Sequence, residues 1–192
     1  HLGAGTRRHF DRAAELGVYT SMAPFQYYYW GDLLDGQMFD HEHGARWQSF
    51  GDAAASGAVV SFHNDGSVSP PSPILNIATA VTRRTRSGAV HAPDQTMPLE
   101  QALRAHTIDA ARTLHREALV GSIAPGKLAD FTELAADPYT VDPIALAEKA
   151  AVRGTWLAGE RTDLDAFLGA VRGTDAAPHA HLAEHPARGG CC

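Results

Sequence analysis

The sequence has 192 residues, of which 44% are hydrophobic and 20% are charged, a balance typical of a globular domain. Its formal net charge of −6 excludes the basic surface of a nucleic-acid-binding domain and the polybasic patch of a protein that binds a membrane surface. No apolar run approaches the roughly 20 residues that a transmembrane helix requires. We therefore predict neither a nucleic-acid partner nor a membrane partner.

The two cysteines, Cys191 and Cys192, are the last two residues of the sequence. Adjacent cysteines rarely bridge each other, so no disulfide framework is predicted. A reducing compartment is then the default, and we expect a cytoplasmic location. The sequence opens with His1 rather than Met and shows no signal peptide, so we expect it to begin inside a longer reading frame or to have been processed.

The first half of the chain alternates helical patterns with short apolar runs. Thr6 can cap a helix that Gly17 ends, and "VYTSMAP" then predicts a strand that ends at Pro24. Residues 25–47 are aromatic, polar and interrupted by glycine, which favours a long loop near a pocket. The predicted helices and strands are, in chain order, 6–16, 18–24, 47–57 and 58–65. This order indicates α/β organisation with parallel strands.

The second half of the chain predicts further helices and then a small antiparallel element. Apolar spacing predicts helices over 74–86 and 97–117. Gly121, Pro125 and Gly126 indicate a turn. Then we predict a strand, a short helix, a hairpin with Gly159 in its turn and a closing helix, at 128–134, 141–150, 151–162 and 163–173. The tail, 174–192, has no periodicity and is predicted to be disordered.

Two polar side chains, His63 and Asp65, follow the apolar run "GAVVSF". In a β/α barrel the ends of strands present catalytic residues, and a carboxylate there can bind a divalent metal or act as a general base. Asn-Asp and Asp-Gly pairs are also ordinary turn formers, so a simple turn is the alternative. A spacing of two residues places both side chains on one face if the strand continues through Asp65.

The other histidines give weaker signals. His41 and His43, in "DHEHG", have a spacing that metal ligands use, but an exposed polar loop favours solvated side chains. His1 lacks upstream context, so its position alone indicates nothing. The sequence contains no GxSxG, P-loop, GxGxxG, HExxH or CxxC motif. Side chains of the tail can bind metal adventitiously, namely His179, His181, His185, Cys191 and Cys192.

Four segments occur in the order in which one enzyme family has them: "FHNDGSVSPPSPILNIATAVTRR", "TMPLEQALRAHTIDAAR", "GSIAPGKLADFTELAADP" and "AVRGTWLAGE". The run "GSIAPGKLADF" followed by "DP" is the most specific, and the Asp before "SPPSP" and the Ala-Val-Thr-Arg helix is next. Together they resemble the C-terminal half of the metal-dependent amidohydrolases, in the branch typified by N-substituted formamide deformylase. The resemblance covers roughly residues 1–160.

The resemblance implies an α/β fold, the C-terminal half of a distorted (β/α)8 TIM-like barrel plus part of a small β-sandwich. It implies four regions, namely barrel strands six to eight with their helices, a β-sandwich segment, a closing helix and a tail, at 1–117, 118–160, 161–173 and 174–192. The implied chemistry is metal-dependent hydrolysis of non-peptide C–N bonds, with zinc as the expected divalent metal.

The resemblance also implies roles for individual residues. Asp65 matches the strand-eight Asp, a catalytic acid–base that can also ligate the metal. His1 matches the strand-six His, a metal ligand. His63 matches a position near that Asp where relatives often carry His, and we expect it to bind substrate. The aromatic run from Phe25 to Trp30 is expected either to line a pocket for an apolar or aromatic substituent or to pack as a lid.

Several parts of the family's site have no match here. The His-x-His pair, the strand-four Lys and the strand-five His would precede residue 1. We therefore expect little or no hydrolase activity from this chain alone, with the missing N-terminal half of the barrel as a partner, a small-molecule amide as substrate and a homo-oligomer as an option. Two alternatives stay open: a non-catalytic truncated paralogue or half-barrel assembly partner, and a deaminase or cyclic-amide hydrolase of the same superfamily.

Overall fold

Two small sheets and eight helices are found in the part of the chain that the computed structural model describes, residues 1–66, 68–163, 165, 166 and 169. The helices are α1 (Arg7–Glu15), α2 (Pro24–Leu34), α3 (His41–Gly44), α4 (Phe50–Ser56), α5 (Pro73–Thr82), α6 (Leu99–Ala105), α7 (Ile108–Thr113) and α8 (Leu146–Lys149). The strands are β1 (Thr20–Met22), β2 (Val60–Phe62), β3 (Phe131–Leu134), β4 (Val152–Leu157) and β5 (Glu160–Arg161). The predicted mixed α/β class is therefore confirmed.

The first sheet consists of β1 and β2, which pair in parallel with Ser21 opposite Ser61. The backbone N–H of His63 donates to the carbonyl of Met22 at 3.0 Å, which extends the ladder beyond β2. Parallel strands need a crossover, and here it runs through α2, α3 and α4. Both strands end at the same edge of the sheet, so the segments that follow Met22 and Phe62 meet there.

The main hydrophobic core lies between this sheet and the helices. Phe50 and Phe62 meet edge to face, with ring centroids 5.8 Å apart. The buried apolar residues of the core are Phe10, Met22, Phe50, Ala53, Val60, Phe62, Ile77, Ala78, Ala80, Met97, Ala102, Ala105, Leu146 and Ala150. The core therefore joins α1, α4, α5, α6 and α8 to both strands.

The second sheet is antiparallel, in the order β3–β4–β5. Strand β3 confirms the strand predicted over 128–134, and β4 and β5 confirm the predicted hairpin. Gly159 lies in the hairpin turn with φ +86°, a conformation that glycine adopts without steric cost. Whether this sheet belongs to a sandwich, and whether the predicted region boundaries hold, stays a prediction.

The prediction of a long loop over 25–47 was wrong. Pro24 occupies the first turn of α2, where its missing N–H costs nothing, and the helix continues to Leu34. Its buried side carries aromatic as well as small residues, including Tyr27 and Gly31. A Cβ on Gly31 would lie 2.7 Å from the Thr85 methyl group, so glycine here permits close packing rather than breaking the helix.

The single helix predicted over 97–117 was also wrong. The chain forms α6 and α7, and the break falls at Thr107, whose φ of −125° and ψ of −103° are not helical. The break places the His106 ring edge to face with Phe62, at a centroid distance of 5.5 Å. No Gly or Pro marks this position, so the cause is tertiary packing and not local propensity.

Burial of His106 predicts a loss of stability at acidic pH. Burial lowers its pKa from 6.5 to about 4, so the unfolded chain binds a proton at a higher pH than the folded chain does. The free energy of unfolding is then unaffected by His106 above pH 6.5. It decreases as the pH drops towards 4, by up to about 3 kcal/mol. Urea unfolding across this range should show the fall, and His106→Gln should flatten it. An unchanged slope in that variant would contradict the prediction.

Other predicted elements agree with the structure or lie beyond what it describes. Helices α1, α4 and α5 confirm the predictions over 6–16, 47–57 and 74–86. The helix predicted over 141–150 is present as a 3-10 turn followed by α8. The predicted closing helix falls largely, and the predicted tail entirely, outside the described residues. No helix within the described ranges has the length and apolar character that crossing a bilayer requires.

Candidate active site

The three residues singled out by sequence converge at the ends of β1 and β2. His1 Nδ1 lies 2.9 Å from His63 Nε2, and the two rings stack with centroids 4.7 Å apart. His1 Nε2 lies 3.4 Å from Asp65 Oδ2. All three side chains are partly accessible, as groups that receive a substrate must be. Their proximity is observed; the roles given to them above stay predictions.

The expectation of a strand running through Asp65 was wrong. Strand β2 ends at Phe62, and Asp65 lies in a turn with a left-handed φ of +51°. Its carbonyl accepts from the N–H of Val68 at 2.8 Å. The turn reading is therefore correct for the backbone. The same turn directs the carboxylate of Asp65 towards His1. A turn at Asp65 and a functional role for Asp65 are therefore compatible.

His63 has the electrostatics of a neutral imidazole. Partial burial lowers its pKa, and Asp65 acts in the opposite sense. The ring of Phe25 meets it edge on, with centroids 6.4 Å apart. A neutral histidine can donate from one ring nitrogen and accept with the other. His63 can therefore hydrogen-bond a substrate while it contacts His1.

The segment that carries His1 is held by Gln48, which sequence reasoning did not identify. Gln48 is fully buried; its Nε2 donates to the His1 carbonyl at 2.9 Å and its N–H donates to the Gly3 carbonyl at 2.7 Å. Its Oε1 accepts from the N–H of Ala23 at 3.1 Å, directly after β1. One amide side chain therefore ties His1 to the strand end.

A second missed residue, Arg83, anchors the turn that carries Gln48. Its guanidinium is fully buried and donates to the carbonyls of Gln48 at 2.6 Å, Ala45 at 2.8 Å and Trp47 at 3.1 Å. It also lies over the Tyr27 ring at 3.8 Å. Burial lowers the pKa of Arg83 to about 10, which leaves it charged at neutral pH. The adjacent Arg-Arg pair in "AVTRR" contains no signal that distinguishes this buried arginine from an exposed one.

Aromatic residues of α2 border the three-residue cluster. Phe25 contacts both His63 and Trp30, and the Phe25 and Trp30 rings meet edge to face at 5.8 Å. Phe25 is buried and Trp30 is partly exposed. The predicted position of this aromatic run near the site therefore agrees with the structure, although it lies on a helix. Its contact with substrate stays a prediction.

The pair His41 and His43 does not form a joint site. Nδ1 of His41 lies 2.8 Å from Asp35, whereas Nδ1 of His43 lies 2.8 Å from Asp40. The hydrogen bond that the His43 ring donates to the Asp40 carboxylate raises the pKa of His43. Each imidazole thus pairs with a different carboxylate, and Asp35 also pairs with His91 at 2.6 Å.

The donor types at the cluster suit zinc, but their number does not complete a site. Neutral imidazole and carboxylate are common zinc ligands, and a catalytic zinc takes three from the protein. Among the residues that the structure describes, no group of three or more His, Cys, Asp or Glu side chains is arranged to hold a metal ion. The chain as described therefore offers part of a metal site at most.

Known proteins resemble this chain in sequence. The model of the family described as "Amidohydrolase family" matches residues 1–163. N-substituted formamide deformylase of Arthrobacter pascens is 32% identical over 131 residues, which cover 67% of this chain and 24% of the deformylase. The chain thus spans about a quarter of the length of this relative.

Solved structures resemble the fold. An uncharacterised metal-dependent hydrolase from Pyrococcus horikoshii superposes with a TM-score of 0.60 and 25% identity, covering 74% of this chain and 29% of that one. A zinc-bound adenosine deaminase from Xanthomonas campestris superposes with a TM-score of 0.61 and 20% identity, covering 92% of this chain and 41% of that one. The family match includes every residue of both sheets. The chain belongs to the amidohydrolase family.

Proposed function

We propose that this chain supplies the C-terminal part of a metal-dependent hydrolase that acts on non-peptide C–N bonds of the amide or formamide type. The observation that carries the proposal is the convergence of His1, His63 and Asp65 at the ends of two parallel strands. The similarity to a formamide deformylase and to a metal-dependent hydrolase supports the reaction class and the metal. The proposed architecture is the last part of a β/α barrel with a segment of a β-sandwich.

Each residue of the cluster has a proposed chemical task. Asp65 takes the proton from the attacking water and passes it to the departing amine nitrogen, as a general base and then a general acid. His63, neutral near pH 7, donates a hydrogen bond to the oxygen of the scissile carbonyl, where negative charge develops. His1 and Asp65 are two of the ligands of a divalent metal, zinc by preference. That metal would polarise the carbonyl and lower the pKa of water.

Further ligands would come from outside the described residues, because His1 and Asp65 supply two donors and a catalytic zinc takes three from the protein. We propose that a segment corresponding to the rest of the relatives' length supplies them and also covers the free edges of the β1–β2 sheet, since exposed strand edges invite pairing. The substrate is a small amide, and the aromatic residues Phe25 and Trp30 favour an apolar or aromatic substituent.

The test compares this chain with a whole enzyme that contains it. The chain alone should not turn over N-substituted formamides, whereas the whole enzyme should do so and should lose this activity with a chelator. Metal-dependent turnover by the isolated chain would contradict the proposal that a further segment completes the site. A whole enzyme without metal-dependent turnover would overturn the hydrolase proposal, and turnover of adenosine or cyclic amides instead would replace the substrate class.

A further inference from the structure

We propose that Asn76 and His106 are positioning residues that hold the Asp65 turn in place through the side chain of Asn64. Neither contacts the three-residue cluster, and neither belongs to the chemistry proposed above. The inference deepens the proposed function, because the importance of the turn rests on the role given to Asp65. The contacts themselves are observed and do not depend on that role.

The link begins at Asn64, which lies in the chain between His63 and Asp65. Asn76 Nδ2 donates to Asn64 Oδ1 at 2.9 Å, and Asn64 Nδ2 lies 3.4 Å from Asn76 Oδ1. The two amides therefore face each other as a reciprocal pair. Ser69 closes the other side of the loop, since its Oγ donates to the Asn64 carbonyl at 2.8 Å.

Asn76 projects from α5, in a row of buried residues that is otherwise mostly apolar. It is 2% exposed, and a buried amide is costly unless its polar atoms are paired. Its side-chain partners are Asn64 in the loop and His106 at the end of α6. A residue that served only to fill the core would not need an amide at this place. The pairing towards the loop gives the amide its structural purpose.

His106 fixes the orientation of the Asn76 amide. Its Nε2 lies 3.3 Å from Asn76 Nδ2, so this ring nitrogen must accept, which puts the imidazole proton on Nδ1. The Phe62 ring holds the imidazole edge on, at a centroid distance of 5.5 Å. The break between α6 and α7 brings His106 to this position. The Nδ2 group of Asn76 is thus shared between a ring held in the core and the loop that carries Asp65.

The turn needs such a support because its conformation is strained. Asp65 has φ +51°, a left-handed conformation that aspartate tolerates better than most residues with a side chain but still adopts at an energetic cost. Its contact with His1, at 3.4 Å, depends on that conformation. If the amide pair is broken, the loop can relax, and the carboxylate then loses its position beside the imidazoles.

The test uses Asn76→Leu, which keeps the branched shape of the side chain but replaces the amide oxygen and nitrogen with methyl groups. Thr79→Val is the matched control, because Thr79 is equally buried on α5 and donates only to the Leu75 carbonyl of the same helix. We expect both variants to lose some thermal stability. Only Asn76→Leu should speed amide exchange of Val68, whose N–H closes the turn, by at least about fivefold, the factor of one lost hydrogen bond.

Imidazole nitrogen resonances give a second readout. In Asn76→Leu the His1 and His63 signals should move towards those of free histidine, and in Thr79→Val they should stay. His106→Leu should act like Asn76→Leu, whereas His106→Gln, which retains an acceptor, should restore most of the Val68 protection. Unchanged Val68 exchange and unchanged imidazole signals in Asn76→Leu would overturn the proposal, leaving Asn76 a packing residue.

Two provisions keep the outcome decisive. If Asn76→Leu fails to fold, Asn64→Ala removes the same pair from the half-buried loop side and should give the same two signals; their absence there overturns the proposal. The positioning role and the hydrolase proposal can fail separately. Loosening of the turn without metal-dependent turnover in the whole enzyme would reject only the hydrolase. Metal-dependent turnover with an unaffected turn would reject only the positioning role.

Discussion

Replacing Arg83 with methionine is expected to lower the free energy of unfolding by at least about 2 kcal/mol, because a buried carbonyl left without a donor costs about 1–3 kcal/mol. The guanidinium donates to four backbone carbonyls, those of Ala45, Trp47 and Gln48 and, at 3.1 Å, that of His91. The Gln48 carbonyl also accepts from the Phe50 N–H and the His91 carbonyl from the Tyr27 hydroxyl, so within the described residues it is the carbonyls of Ala45 and Trp47 that lose their donor. Methionine has a similar length but no donor. Urea unfolding of the variant measures the loss directly.

The neighbouring arginine provides the control. Arg84 is exposed, so Arg84→Met should change stability by no more than about 0.5 kcal/mol. A second variant distinguishes the local role of Arg83 from its effect on the stability of the whole fold. Because Arg83 holds the turn that carries Gln48, Arg83→Lys should leave some carbonyls unpaired. The segment that carries His1 should then detach before the chain unfolds. Equal stability of the Arg83 and Arg84 variants would show that the buried hydrogen bonds do not support the fold.

Replacing Asp65 with asparagine is expected to reduce kcat of the whole enzyme by about 10²- to 10⁴-fold, the usual contribution of a general acid–base. Asparagine has the same shape and tolerates the left-handed φ of +51° found at this position, so the turn should survive. The variant therefore removes proton transfer and one metal ligand without disturbing the fold. Steady-state turnover of an N-substituted formamide, with metal content measured in parallel, tests this.

Asp137→Asn is the control variant for the Asp65→Asn experiment. Asp137 is a loop residue beyond β3 that accepts from the N–H of Tyr139, remote in sequence from the cluster. Its variant should retain full activity. If Asp65→Asn keeps more than a tenth of kcat, Asp65 does not transfer the proton, and the role must pass to another residue. Normal zinc content with lost activity would assign Asp65 to proton transfer rather than to metal binding.

Local patterns were sufficient for elements whose ends have their own chemical signals. Thr6 and Gly17 flank α1, and Gly57, with φ +76°, ends α4. The hairpin of β4 and β5 was predicted with Gly159 in its turn. In each case a cap or turn residue and its neighbours determine the backbone, so no distant contact is needed.

Local patterns failed where burial of an unexpected side chain decided the backbone. Helix α2 was missed because its buried face includes Tyr27 and Gly31 rather than the aliphatic residues that usually mark an apolar helix face. Helices α6 and α7 separate at Thr107 although neither Gly nor Pro is present, and the separation accompanies the contact of His106 with Asn76. Such breaks depend on partners that are distant in the sequence.

The candidate site shows the same division. The sequence by itself determined the residue types at the end of the apolar run, and with the family resemblance it identified His1, His63 and Asp65. Only the tertiary structure decided that β2 stops at Phe62, that a left-handed turn turns Asp65 towards His1, and that Gln48, Arg83 and Asn76 support the arrangement. The physical reason is that the chemistry of a side chain depends on its residue type, which can be read from the sequence. Their positions come from buried hydrogen bonds between residues far apart in the chain, which a local pattern does not contain.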